Sequence, residues 1–252
     1  MSSITQRFIL RHGQIPEGLS IGDLFNLSTA ESELYHQIIV VYRCKVGDQA
    51  ILMNLNRINP SNTAYHCEIV ACSKKLITMK LIKIDQINEN KQSLTLALCL
   101  PNKPAKLDFI IEKAVELGIW NLILIKSDYS NFSHQLRLDR LEKILIEAAE
   151  QSERAITPTI FEYKNIDQYL ESQPANLMVA LERSSLEQNL IKLNLLAQNY
   201  SVLIGPEGGF SDREKDLFAT KKLAIINLGD QILKQDTAAL LAVAILKLKQ
   251  AY

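Results

Sequence analysis

Hydrophobic periodicity changes once along this chain, and that change restricts the fold more than any other feature. From Leu94 onward, short apolar runs of strand length alternate with segments whose apolar residues recur every three or four positions, the pattern of a mostly parallel sheet covered by helices. The strand candidates are Leu94 to Leu100, Asn121 to Ile125, Leu177 to Leu181, Ser201 to Ile204 and Ala224 to Leu228. Leu107, Ile110, Ile111, Ala114 and Leu117 fall on one helical face, and Gly118 stands where the left-handed residue after a helix belongs. A second helix is expected from Leu138 to Ala155, with Pro158 beyond its end. Ser211 and Glu214 have the spacing of a capping box and open a third. The last helix, from Asp236 to Gln250, is apolar on nearly every side, as a helix is when buried in its domain or shared with a partner subunit. The second is the expectation here.

Residues 1–86 have another rhythm. β-branched runs at Ile38 to Arg43, Gln49 to Leu52, Cys67 to Ala71 and Leu76 to Ile84 are broken by the turn residues Gly47-Asp48 and Asn59 to Asn62, which suits a small antiparallel barrel or sandwich. The polar stretch Asp85 to Ser93 reads as a linker. Two domains follow, 1–86 and 87–252. With 47% hydrophobic residues there is enough apolar material for a core. No run approaches the ~18 apolar residues of a membrane span, and the start MSSITQRFILRHG lacks the apolar segment of a signal peptide. A cytoplasmic location is the expectation. Cys44, Cys67, Cys72 and Cys99 show neither CxxC nor paired His spacing, so no metal site or disulfide framework is expected. The 28 basic and 28 acidic residues exclude a protein that coats nucleic acid by bulk charge. A polyanion must be met by local patches.

The most informative stretch is Leu203-Ile204-Gly205-Pro206-Glu207-Gly208-Gly209-Phe210, an apolar strand running into a glycine-rich loop and then a capped helix. Glycine lets main-chain groups approach a ligand, and ligands of open α/β sheets bind beyond the carboxyl ends of strands. A tight strand-to-helix turn would use glycine for the same steric reason. A second strand end, Leu228-Gly229-Asp230, leads through Gln231-Ile232-Leu233-Lys234-Gln235 into the last helix and tips the balance toward a shared pocket. Neither loop fits GxGxxG or GxxxxGK[ST], which disfavours a Rossmann dinucleotide site and a P-loop and points to an adenosine derivative held by main-chain groups.

LIGPEGGFSDRE, LDFIIEKAVELG, EAAEQSER followed by a proline, and LGDQILKQDTAAL occur here in the order they take in the RsmE family, 16S ribosomal RNA uridine N3-methyltransferases of the SPOUT class. The chain resembles that family over nearly its whole length, including His36 and Val40-Val41-Tyr42-Arg43-Cys44-Lys45-Val46-Gly47-Asp48. The resemblance implies an N-terminal PUA-like RNA-binding barrel, a C-terminal α/β domain with a trefoil knot, S-adenosylmethionine bound in the knot, a homodimer, and 16S rRNA or the small ribosomal subunit as partner. It assigns the cofactor to Leu181, Ile204, Gly205, Pro206, Glu207, Gly208, Gly209, Leu228, Gly229, Ile232, Leu233, Thr237 and Ala238. Lys234 and Asp236 become candidates for stabilising and deprotonating the base. Gln151 and Arg154, at i and i+3, become candidates for lining the site or touching phosphate, although that stretch also reads as an ordinary charged helix face.

Arg7, Arg11, Arg43, Lys45, Lys74 and Lys75 are the candidate phosphate contacts, if they cluster on one face. His12 and His36 read as polar surface residues. The chain departs from the family in the last motif, where members carry ILR-x-ETA and this sequence has Ile232-Leu233-Lys234-Gln235-Asp236-Thr237-Ala238. Lysine lacks the bidentate fork of arginine, and Asp236 also suits the N-cap of the last helix. These departures leave open a degenerate homologue that docks on the ribosome without transferring methyl groups.

Overall fold

The computed structural model describes residues 5–10, 18–28, 32–54, 62–73, 75–87, 93–133, 135–152, 154, 156–195 and 197–251. It divides into two compact units, Met1–Glu89 and Asn90–Tyr252.

In the first unit, β1 (Thr5–Leu10), β2 (Leu24–Ser28), β3 (Gln49–Asn54), β4 (Asn62–Cys72) and β5 (Leu76–Ile87) form one sheet in the order β1-β3-β4-β5-β2. The ladder is antiparallel from β3 through β4 and β5 to β2, and β1 adds to β3 in parallel. Phe8, Leu27, Ile38, Leu52, Ile69, Ile77, Met79 and Leu81 fill its core. The expected strand Ile38 to Arg43 is helical: α1 (Ser32–His36) runs directly into a π-helical turn, Gln37–Val41. The reason lies in the burial period. Leu34, Tyr35 and Ile38 point inward while Val40 and Val41 are exposed, so spacing of three and four overrides the β-branched preference. The sequence reading did not find β1 and β2, and most of the expected turn Asn59 to Asn62 lies outside the described residues.

The second unit alternates strand and helix except between β9 and β10: β6 (Leu94–Cys99), α2 (Pro104–Glu116), β7 (Asn121–Ile125), α3 (Leu138–Gln151), β8 (Thr159–Tyr163), α4 (Ile166–Glu171), β9 (Leu177–Ala180), β10 (Tyr200–Ile204), α5 (Asp212–Thr220), β11 (Ala224–Ile226) and α6 (Gln235–Ala251). β9 and β10 are joined by residues 181–199, with one 3₁₀ turn at Leu186–Gln188. All six strands are parallel, in the order β11-β9-β10-β6-β7-β8. The chain lays β7 and β8 to one side of β6 and the later strands to the other, so the order reverses between β6 and β10. Loops part at such a reversal and leave a crevice at the carboxyl ends. The apolar residues of β6 and β10 are buried on both faces, as helix-covered parallel strands require. Gly118 takes φ +97 beyond α2, and Ser211 closes its capping box with Glu214. α3 stops at Gln151, short of the expected Ala155. Among the described residues no helix is long and apolar enough to cross a membrane.

Candidate functional site

The glycine-rich loop leaves β10 at the strand-order reversal, and packing explains its glycines. A Cβ on Gly205 would lie 2.9 Å from Phe210 Cε2, and one on Gly208 would lie 3.3 Å from Tyr129 Cβ. Gly209 sits at φ +72, where side chains are disfavoured, and its N–H closes a turn on Pro206 O at 2.9 Å. Phe210 is buried edge-on against Phe218 at 5.0 Å.

Two carboxylates pin this loop to its neighbours. Glu207 accepts from the Asn102 N–H at 3.3 and 3.2 Å and pairs with Lys106 at 3.1 Å. The N-cap of α2, Lys103, makes no side-chain cap, and the Glu207 carboxylate stands just ahead of it, on the residue before the cap, where a negative charge near a helix N-terminus is favoured. Glu214, fully buried, accepts from Ser211 N–H at 2.8 Å and from Asp128 N–H at 2.9 Å. Asp128 in turn accepts from Ser211 Oγ at 2.6 Å and from two guanidinium nitrogens of Arg213, each at 3.0 Å. Arg213 also reaches Asp167 at 3.0 Å. The hydrogen bonds from Arg213 and Ser211 hold the Asp128 carboxyl below its usual range.

The loops after β9 and β11 are laced together. Leu181 N–H donates to Ile226 O at 3.1 Å, Ser184 Oγ donates to Leu181 O at 2.8 Å, and the buried Asn227 donates through Nδ2 to Ser184 O at 3.0 Å. Asn227 Oδ1 also accepts from Gly229 N–H at 2.7 Å, with Gly229 at φ +130. Gln235 Nε2 donates to Cys99 O at 2.6 Å and so ties the end of the β11 loop to the carboxyl end of β6. From the β9 loop, Glu182 Oε1 lies 3.8 Å from where a Cβ on Gly209 would stand. The expected cofactor residues Leu181, Ile204 to Gly209, Leu228, Gly229, Ile232, Leu233, Thr237 and Ala238 are thus all on strand ends and loops at one edge of the sheet, or on the first turns of α6.

Lys234 is exposed at that edge, and its carbonyl accepts the first helical bond of α6, from Ala238 N–H at 2.8 Å. Asp236 is therefore inside the first turn and is not the N-cap; its Oδ1 accepts from Thr237 N–H at 3.0 Å. Gln151 and Arg154 do not join Lys234 within one chain. Gln151 is exposed at the far end of α3. Arg154 is buried and donates from Nη1 to Val115 O at 3.1 Å and Ile119 O at 2.7 Å, which caps the C-terminus of α2 beside the amino end of β7. Sequence reasoning passed over Asn102, Asp128, Tyr129, Glu182 and Asn227. Position was the available signal, since each follows the carboxyl end of a parallel strand by a few residues.

In the first unit Arg43, Lys45 and Lys75 are exposed. Arg43 takes the left-handed φ of +54 directly after the π-helical turn, and Tyr42 meets Phe8 edge-on at 5.3 Å. Arg7 lies on β1, while Arg11, His12 and Lys74 are outside the described residues. Cys44, Cys67 and Cys99 are buried, and burial raises the Cys67 thiol to about 12.

Residues 88–247 match the family model of the RNA methyltransferase domain. The ribosomal RNA small subunit methyltransferase E of Mesomycoplasma hyopneumoniae is 32% identical over 188 residues, which cover 71% of this chain and 79% of that protein. The chain belongs to the ribosomal RNA small subunit methyltransferase E family. The methyltransferase E of Rickettsia conorii is 28% identical over 242 residues, 95% of this chain and 96% of the relative. In fold, the chain is similar to the methyltransferase E of Neisseria gonorrhoeae solved bound to S-adenosyl methionine, with a TM-score of 0.78 and 23% identity over 97% of this chain and 98% of that one. In this member of the methyltransferase E family, the matched span takes in both glycine-bearing loops, the two carboxylate pins and all but the end of α6.

Proposed function

We propose that the protein is an S-adenosylmethionine-dependent methyltransferase that modifies N3 of a uridine in 16S ribosomal RNA, acting as a homodimer. One observation carries the reading: the loop Gly205–Gly209 is clamped at the strand-order reversal and adjoins the loop after β9, which is itself hydrogen-bonded to the loop after β11. The site residues fit the methyl donor. Gly208 is exposed and Gly209 half-buried on one side, and a Cβ on Gly229 would meet nothing within 4 Å on the other. When bound, S-adenosylmethionine supplies an electrophilic methyl group on a sulfonium.

The chain's own residues then have two tasks. The first is to hold donor and base at near-attack distance, which falls to the main chain of Gly205 to Gly209 and Leu228 to Leu233. The second is to manage the N3 proton. The N3–carbon bond forms as the sulfur–carbon bond breaks, so N3 must first lose its proton. Lys234 stabilises the negative charge that develops on the uracil. Asp236 orients that ammonium or takes the proton through a water. Arg7, Arg11, Arg43, Lys45, Lys74 and Lys75 supply phosphate contacts, which position RNA without reading its sequence. On α6, Leu241, Ala244, Ile245 and Leu248 are left partly or fully open, and that stripe supports the dimer.

The deciding experiment is mass spectrometry of ribosomal RNA from cells with and without the gene. One methyluridine of the small subunit is expected to disappear with the gene and return with the wild-type copy. Unchanged ribosomal RNA, with no donor binding by calorimetry, would sink the proposal; donor binding without methylation would favour a degenerate homologue, to which the lysine at 234 and the aspartate at 236 lend support.

A further inference from the structure

We infer that Glu182 holds the ribose of the methyl donor, its carboxylate accepting hydrogen bonds from the sugar hydroxyls. The inference rests on the donor reading above and adds a side chain to a site otherwise built from main chain. Glu182 is the second residue beyond β9, the strand beside β10 on the side away from β6. Its Oε1 lies 3.8 Å from the Cβ position of Gly209, so the acid stands over the glycine loop itself.

The turn that presents it is fixed on both sides. Leu181 is held by Ile226 O, Arg183 takes the left-handed φ of +57, and Ser184 is tied back to Leu181 O and across to Asn227. Most other carboxylates nearby are committed: Glu207 to Asn102 and Lys106, Glu214 to Ser211 and Asp128, Asp128 to Arg213. Glu182 is exposed and, among the described residues, carries no hydrogen bond or ion pair. An ionised carboxylate offers two acceptor oxygens and no donor, the complement of a vicinal diol. In nucleotide-binding α/β folds an acid downstream of the glycine loop meets the ribose hydroxyls in the same chemical sense.

The test is calorimetry on the full chain with S-adenosylhomocysteine and its 2′-deoxyribose analogue, for wild type, Glu182→Gln, Glu182→Asp and Glu187→Gln. Glu187 is the control, an exposed acid farther along the same connection between β9 and β10. Losing a hydrogen bond to a charged group predicts that wild type prefers the ribose ligand by ~10- to 100-fold. Glu182→Gln should lose most of that preference, through weaker binding of the ribose ligand and not of the deoxy one, with Glu182→Asp intermediate and Glu187→Gln like wild type. Retained discrimination in Glu182→Gln, or its loss in Glu187→Gln, overturns the inference while leaving the donor reading intact. If wild type binds neither ligand, the donor reading fails and this one with it.

Discussion

Gly205 shows how far a residue's identity can be read without its neighbours. Composition marked it as a place where main chain meets ligand, but its steric demand comes from Phe210, five residues on, whose ring fills the volume a methyl would need. Gly205→Ala should therefore act twice. Overpacking costs about 1–3 kcal/mol, seen as a lowered thermal midpoint, and the shifted turn weakens donor binding by calorimetry. Glu207 was legible as part of the motif but not in its role: its carboxylate serves α2 through Asn102 and Lys106, a partner more than a hundred residues away. Lys234 makes the opposite case, an exposed ammonium with a proposed task in transfer alone. Lys234→Ala should slow single-turnover methylation ~100-fold, the loss typical of one charge-stabilising donor, with donor affinity unchanged. Equal rates in the two proteins would remove Lys234 from the chemistry.

At the scale of elements, α2 is held at both ends by residues from elsewhere. Glu207 sits at its N-terminus and Arg154 at its C-terminus. Its apolar stripe and Gly118 were readable because they are local, while the charged side chains at its ends come from segments that only the fold brings near. Arg154→Met should cost about 2–3 kcal/mol, since two carbonyls lose a charged donor in a buried place, measured as a shift of the denaturant midpoint. α5 shares the logic through Glu214 and Asp128. Because Arg213 and Ser211 depress the Asp128 carboxyl, that group contributes stability in full above the ordinary carboxylate range and loses it as pH falls through the depressed value. Asp128→Asn should flatten the acid side of a stability-against-pH curve, and an unchanged slope would show that the cluster is screened by solvent. Two elements of the second unit were missed because they are short. β8 is an edge strand with Phe161 exposed and none of its residues fully buried, and α4, although Ile166, Tyr169 and Leu170 are buried, has only six residues, too short a window to set a period.

For the whole molecule, alternation of strand and helix gave away the parallel sheet, but strand order was not in the sequence because it depends on which loops cross. The crossing matters most at α6, which leaves the sheet edge at β11 and packs on β6, β10 and α2. Its apolarity on every side now divides into two stripes. Ala239, Ala242, Val243 and Leu246 are buried in the unit, and Leu241, Ala244, Ile245 and Leu248 form a second row that the unit does not cover. A helix with two apolar rows packs two partners. In a two-fold dimer the same patch meets itself, so a charge introduced there appears twice across one axis. Leu248, 61% exposed, is the place to introduce it. Leu248→Glu should leave the thermal midpoint of the isolated chain little changed, because the residue is mostly exposed within its own unit, yet shift the molar mass by light scattering from dimer to monomer at micromolar concentration. A wild-type protein that is monomeric under the same conditions would refute the dimer. A variant that stays dimeric would move the interface off the row ending at Leu248.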